Sequence, residues 1–223
     1  MLAEPCTAHI GANESILNIE YPVGSPGRRF GEILLQKQDE NVALFDLDGT
    51  LCDFENQIMK DMEQMRSEEE PKIRKWTHAH PKHIERRMDA IMASPDWWEK
   101  LPRLQLGWDV LEVAMDLGYR IMILTQGPRR NPSSWVGKKL WIDRNLGPDT
   151  DITITRDKGL VYGKVLVDDS PQYVERWLVW RKRGLVIMPA NSANEDYKHR
   201  QVLRYDGTNL QDVRAAMEKR LLG

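Results

Sequence analysis

"VALFDLDGTLCDFEN", residues 42–56, decides how this chain is read. A four-residue apolar run, Val42–Phe45, ends in two acids, Asp46 and Asp48, and a glycine follows at once. A strand buried on both faces of a parallel sheet reads as a continuous aliphatic run rather than an alternating one. Parallel sheets place their ligand sites beyond the carboxyl ends of their strands. The stretch therefore predicts a core strand that delivers Asp46 and Asp48 to a functional rim.

Similar runs recur downstream: "IMIL" (121–124), "ITIT" (152–155), "VLV" (165–167) and "LVIM" (185–188). Helical patterns separate most of them. "WDVLEVAMDLG" (108–118) is apolar around most of its circumference and stops at Gly118. "SSWVGKKLWIDRNLG" (133–147) carries apolar Trp135, Val136, Leu140 and Trp141. "SPQYVERWLVWRKRG" (170–184) offers Ser170 as cap, Pro171 in the first turn and Gly184 as stop. Its basic end, "WRKRG" (180–184), suits a helix C-terminus. A last helix begins near "TNLQ", where Thr208 and Gln211 have capping-box spacing. Strands alternating with helices predict an α/β fold with a Rossmann-like parallel sheet.

Residues 53–103 break the alternation with no convincing strand. "DFENQIMKDMEQMR" sets Phe54, Ile58, Met62 and Met65 on one helical face, and "KHIERRMDAIMA" does the same with Ile84, Met88, Ile91 and Met92. This segment reads as a helical cap inserted after the first core strand, leaving residues 41–52 and 104–223 as the catalytic core. Residues 1–40 read as an N-terminal arm. Its "SILNIEYPVGSPGRRFGEILL" has the Gly-Ser-Pro-Gly of a hairpin turn, with an irregular arm as the alternative.

Composition narrows the class. The chain has 223 residues, a net charge of −2, 41% hydrophobic and 30% charged residues. That is a globular composition rather than a disordered one. The near-neutral balance argues against a nucleic-acid polymer as partner. No run of about 20 apolar residues suggests a membrane span, and the first 30 residues lack a secretory pattern. Two cysteines, Cys6 and Cys52, without metal-type spacing fit a reduced, cytoplasmic setting. His78, His80 and His83 cluster in "THAHPKH", but Pro81 interrupts their spacing, and the stretch reads as a polar loop.

A parallel sheet would bring Asp46 and Asp48, Thr125 of "ILTQG", and Asp168 and Asp169 of "VLVDDSP" to one rim, with Lys158 of "TRDKG" in a nearby loop. Two unit charges 4 Å apart cost roughly 4 kcal/mol at an effective dielectric of about 20, so four acids in one place call for a cation. Oxygen-only ligands favour Mg²⁺. Lysine supplies further positive charge, and the threonine hydroxyl can donate to an anion. The set reads as a phosphate site with a metal, a nucleophile and an acid/base. Each piece alone has a plainer reading, a turn or a helix cap; their joint occurrence at strand ends does not.

These residues resemble the haloacid dehalogenase (HAD) superfamily of phosphatases: "FDLDGTL" is similar to its first motif, Thr125 to its second, Lys158 to its third and "DD" to its fourth. The resemblance implies that Asp46 attacks phosphorus to form an aspartyl-phosphate, and that Asp48 protonates the leaving alkoxide and then activates water. It implies that Thr125, Gln126 and Lys158 bind the phosphoryl group. It implies Mg²⁺ held by Asp46, Asp48 through its backbone carbonyl, and Asp168, with Asp169 in or near the layer just outside these metal ligands.

A narrower resemblance, to the 5′(3′)-deoxyribonucleotidases, rests on "DFE" after the first motif, the short cap and "TRDKGLVYGKVLVDD". It favours Lys158 over Lys164, four residues before Asp168, as the third-motif lysine. It implies a nucleoside monophosphate substrate, its base held by aromatic cap residues. Phe54, Trp76, Trp97 and Trp98 are the candidates, with core packing as the alternative for the last two. Because that family often dimerises, the resemblance also implies a possible homodimer. Where the family would have "TSP" and a lysine nearby, this chain has "TQGPRRNPSSW", whose Arg129 and Arg130 are candidate contacts to phosphate or sugar. Two other functions stay open: a phosphatase of sugar phosphates or other small metabolites, and an idle nucleotide-binding protein.

Overall fold

The computed structural model describes residues 41–73, 80–128 and 131–222. Six strands form one sheet: β1 (Val42–Phe45), β2 (Arg120–Thr125), β3 (Asp151–Ile154), β4 (Val165–Val167), β5 (Leu185–Pro189) and β6 (Val202–Tyr205). Their order is β3-β2-β1-β4-β5-β6, and every pairing is parallel. The chain builds β2 and β3 on one side of β1, then returns to place β4 on the other. That reversal, between β1 and its two neighbours, is where a crevice opens in such sheets.

Among the described residues, three helices follow β1: α1 (Phe54–Gln64), α2 (Lys82–Met92) and α3 (Pro95–Glu99). The core helices are α4 (Gln105–Asp116), α5 (Pro132–Leu146), α6 (Pro171–Leu178) and α7 (Leu210–Leu222). All of β1 is buried, and it divides its side chains between two cores. Ala43 and Phe45 join Val110 and Leu111 of α4 and Val213 and Met217 of α7; Val42 and Leu44 join Val174 and Trp177 of α6. Helices on both faces explain the unbroken apolar runs. No helix among the described residues is long and apolar enough to cross a membrane.

Between β1 and α4, Ile58 and Met62 of α1 bury against Ile84 of α2. Met65 does not share that face: α1 ends at Gln64, and Met65 is about half exposed. The short α3 had no periodic signal, being little more than one turn. It lies against α5 so closely that a Cβ on Gly137 would come within 2.4 Å of the Trp98 Cβ and 2.6 Å of the Pro95 carbonyl oxygen. Glycine at 137 is what permits the approach.

Several local expectations change. β6 was not anticipated, because Arg204 interrupts a four-residue apolar run at the sheet edge. Helix α6 ends at Leu178, so "WRKRG" lies past its C-terminus instead of closing it. Ser170 occupies the N-cap position of α6 without a side-chain capping bond. Thr208 makes no capping box; its hydroxyl donates to Asp206 at 2.7 Å, and α7 starts at Leu210. In α5 the buried face is Ser134, Gly137, Lys138, Trp141 and Ile142, while Trp135, Val136 and Leu140 are substantially exposed. Residues 1–40, and with them the arm and its hairpin, lie outside the described residues.

Candidate active site

The chain leaves β1 with the Asp46 amide still on the ladder, donating to the Val167 carbonyl at 2.9 Å. It then turns tightly: the amides of Leu51 and Cys52 both donate to the Leu47 carbonyl, and Gly49 adopts φ +74°. That left-handed conformation favours glycine. A Cβ at Gly49 would also lie 2.6 Å from an oxygen of Asp169, so the turn packs against the end of β4. Asp46 and Asp48 thereby reach the rim where β2 delivers Thr125 and β4 delivers Asp168 and Asp169.

Lys158 sits in a 3₁₀ turn that Asp157 caps by accepting from the Gly159 amide at 3.0 Å. Its ammonium is 2.8 Å from Asp46 Oδ1 and 2.7 Å from Asp168 Oδ2. Lys164, the rival, lies at the far end of β4 with its amide on the Val42 carbonyl. Asp46, Asp168 and Asp169 are all buried, and each offers a carboxylate oxygen within 4.8 Å of the others. Burial pushes Asp168 up to about 6, against the pull of Lys158. Burial also lifts Asp169 well above the carboxylate range, and the charges of Asp168 and Asp46 add to that. Burial works against the Lys158 ammonium, yet Asp168 and Asp46 more than offset it and raise its pKa. Three acids crowded beside one lysine resist ionising together, a penalty that a bound cation would relieve.

A second buried lysine serves the other acid. Lys138 of α5 places Nζ 2.6 Å from Asp48 Oδ2, 3.0 Å from Thr125 Oγ1 and 2.7 Å from the Gln126 carbonyl. Burial raises the Asp48 pKa, and Lys138 opposes the rise. The buried Cys52 thiol faces the other Asp48 oxygen at 3.7 Å, and burial pushes that thiol well up. Cys52 therefore packs as a neutral group. Beside these acids opens a cleft of about 710 Å³, lined also by Phe54, Glu55, Gln126, Arg156, Tyr173 and Asn191. Tyr173 donates its hydroxyl to the Gln126 side chain, and its ring faces Lys158 at 4.8 Å.

A family model described as "5′ nucleotidase, deoxy (Pyrimidine), cytosolic type C protein" matches residues 40–216. The chain belongs to this nucleotidase family. Among relatives, a Bordetella pertussis protein named "Putative 5′(3′)-deoxyribonucleotidase" is 29% identical over 136 residues, 57% of this chain and 73% of its own. The human "5′(3′)-deoxyribonucleotidase, cytosolic type" is 27% identical over 140 residues, 57% of this chain and 69% of its own. A solved HAD hydrolase from Entamoeba histolytica superposes with a TM-score of 0.45 at 11% identity, covering 82% of this chain and 100% of that one. By its family match the chain is a 5′-nucleotidase-type phosphoric monoester hydrolase, and its sheet and helices make an α/β fold.

In this nucleotidase the rim brings together Asp46, Asp48, Thr125, Gln126, Lys158, Asp168 and Asp169. Phe54 reaches the cleft, but Trp97 and Trp98 are not among its lining residues. Trp98 is buried, stacks on Phe54 at 5.4 Å between centroids and donates to the Met92 carbonyl at 2.9 Å. Trp97 packs edge-on to both rings and donates to Asp61 at 2.7 Å. Both tryptophans pack beside Phe54 instead of lining the cleft, in line with the core-packing alternative. Trp76, Arg129 and Arg130 lie outside the described residues. Lys138 is the site residue that sequence reading missed. Its signal was the i, i+3, i+4, i+7 spacing of Ser134, Gly137, Lys138 and Trp141, a stripe of small residues, one cation and one tryptophan.

Proposed function

We infer that this chain is a Mg²⁺-dependent phosphomonoesterase of nucleoside monophosphates, deoxynucleotides foremost, acting through an aspartyl-phosphate. The observation that carries the reading is the separate treatment of two acids two residues apart. Asp46 is paired with Lys158, and Asp48, raised by burial, is paired with Lys138. Neighbouring carboxyls in different environments are the usual sign of divided roles.

The residues present fit a hard divalent cation, since the three clustered donors are all carboxylate oxygens. Asp46, Asp168, Asp169 and the Asp48 carbonyl would hold it. When bound, Mg²⁺ supplies charge neutralisation and polarises a phosphoryl oxygen. The chain's own residues do the rest. Asp46 attacks phosphorus with a carboxylate oxygen, and the ester P–O bond breaks as Asp48 gives its proton to the leaving alkoxide. Asp48, now ionised, takes a proton from water. The water oxygen attacks phosphorus, the Asp46–P bond breaks and phosphate leaves. Lys158, Lys138 and Thr125 hold the phosphoryl oxygens through both steps.

Phe54 on the cleft wall supports a base-bearing substrate. The names of the family and of the human relative support a deoxynucleotide and a cytoplasmic setting. The test is phosphate release from deoxy- and ribonucleoside 5′- and 3′-monophosphates and from sugar phosphates, with EDTA and with Mg²⁺ restored. Deoxynucleotides should be hydrolysed fastest and only with the metal. Asp46→Asn should lose about 10³-fold or more in kcat. Equal rates on sugar phosphates would move the substrate class; tight nucleotide binding without hydrolysis would make the chain an idle binder.

A further inference from the structure

Asp169 is held unlike the other acids of the cluster. Lys158 reaches Asp46 and Asp168. The side-chain bonds to the Asp169 carboxylate come instead from neutral donors: Thr50 Oγ1 to Oδ1 at 3.3 Å and Asn191 Nδ2 to Oδ2 at 2.7 Å. Gly49 closes the near side, since even a Cβ there would meet Oδ2 at 2.6 Å.

Asn191 lies in the β5–β6 loop, and that loop is tied together from within. The Asn191 side-chain oxygen accepts from the amides of Ala193 and Asn194 at 2.9 and 3.0 Å, and the Asn191 amide donates to Asn194 Oδ1 at 3.1 Å. Asn194 is fully buried and donates to the Asp169 and Pro189 carbonyls at 2.9 and 2.8 Å. Arg204, on edge strand β6, donates to Asn194 Oδ1 at 2.9 Å and to the Asn191 carbonyl at 3.3 Å. A continuous run of hydrogen bonds therefore leads from β6 to both the carboxylate and the carbonyl of Asp169. A neutral amide donor fixes a carboxylate's direction without neutralising its charge, which is what an outer partner of a metal ligand does.

We propose that Asn191, braced by Asn194 and Arg204, is a positioning residue that aims Asp169 at a divalent cation. The proposal rests on the metal-dependent reading above and adds the β5–β6 loop and strand β6 to the site's support.

The test titrates Mn²⁺ into the full chain by calorimetry without substrate, alongside unfolding in EDTA. Asn191→Ser keeps an oxygen for the loop amides but is too short to reach Asp169. It should weaken Mn²⁺ binding about 10-fold, with the EDTA unfolding midpoint retained. Arg204→Met acts on Asp169 only through Asn191 and Asn194 and should weaken binding in the same direction by less. Wild-type Mn²⁺ affinity in Asn191→Ser overturns the proposal, even if KM for a nucleotide rises, since that would make Asn191 a substrate contact. If Asn191→Ser does not fold, wild-type affinity in Arg204→Met overturns it instead. A wild-type chain that takes up no divalent cation defeats the metal-dependent function as well, whereas wild-type binding unaltered by either variant defeats this proposal alone.

Discussion

The carboxyl rim of the sheet and the helices that follow β1 solve burial in opposite ways. At the rim, buried charges meet buried charges: Lys158 and Lys138 are almost fully enclosed, and each contacts an acid within 3 Å. In the helical segment the buried groups are apolar, Trp98, Ile58, Met62 and Ile84, with Phe54 and Trp97 half-buried against them, and the charges keep some access to solvent. Removing one partner of a buried pair leaves the other uncompensated, whereas truncating an apolar side chain leaves a cavity. Substitutions at the rim should thus register first in turnover, and substitutions in the helices first in stability.

Lys138→Met is the sharpest way to break that contrast. It keeps the length of the side chain but strips Asp48 of its cation and Thr125 of its donor. We expect kcat to fall by about 10²- to 10⁴-fold with nucleotide KM changing far less. A variant with full kcat would remove Lys138 from the reaction and leave it a packing residue of α5.

On the helical side, Trp98→Ala should cost about 3–5 kcal/mol in unfolding free energy, read from denaturant curves. At temperatures where it remains folded, its ranking of nucleotides should match the wild type. Phe54→Ala should do the reverse in kinetics. Loss of a ring worth about 1–3 kcal/mol of stacking predicts a KM for nucleotides raised roughly 5- to 150-fold, with little change for a sugar phosphate. If Trp98→Ala reorders the nucleotide panel and Phe54→Ala does not, the division drawn here between wall and packing residue is inverted.

The same contrast explains what the sequence disclosed. β1, β2, β4 and β5 announced themselves because helices cover both faces, whereas β3, an edge strand with no buried residue, showed only through its β-branched run; the rim acids showed because no packing role demands Asp-x-Asp and Asp-Asp at strand ends. The tryptophans stayed open between two readings because an aromatic residue looks the same in a core as beside a base; what separates them is that Phe54 lines the cleft and Trp98, stacked on it at 5.4 Å, does not. Lys138 was hidden because binary patterning scores lysine as outward. Helix α5 turns its small residues toward α3 and its lysine toward the acids, so the apolar Trp135 and Val136 are left on the outer face. β6 escaped because a short edge strand carrying Arg204 has no apolar run to detect, although that arginine is what ties the edge to the site's loop.

The smallest expected effect sharpens the comparison through pH. Glu70, in the connection between α1 and α2, is joined to Arg87 of α2 at 2.9 Å, with the exposed His83 at 3.5 Å. The Arg87 hydrogen bond and the Ser67 amide hold the Glu70 carboxyl below its ordinary value. A depressed folded-state pKa contributes stability above the unfolded pKa and loses it as pH falls through the folded one. Both side chains are half-buried with some access to solvent, so the contribution is modest and screened by salt. Arg87→Met should therefore lower the thermal midpoint slightly at pH 7, less so at high salt, and the variant and wild-type midpoints should converge in acid below the ordinary glutamate range. Turnover at pH 7 should hardly move. A midpoint difference that persists in acid would show that Arg87 supports α2 through its aliphatic stem, making the helical segment apolar in its energetics even where its charges touch.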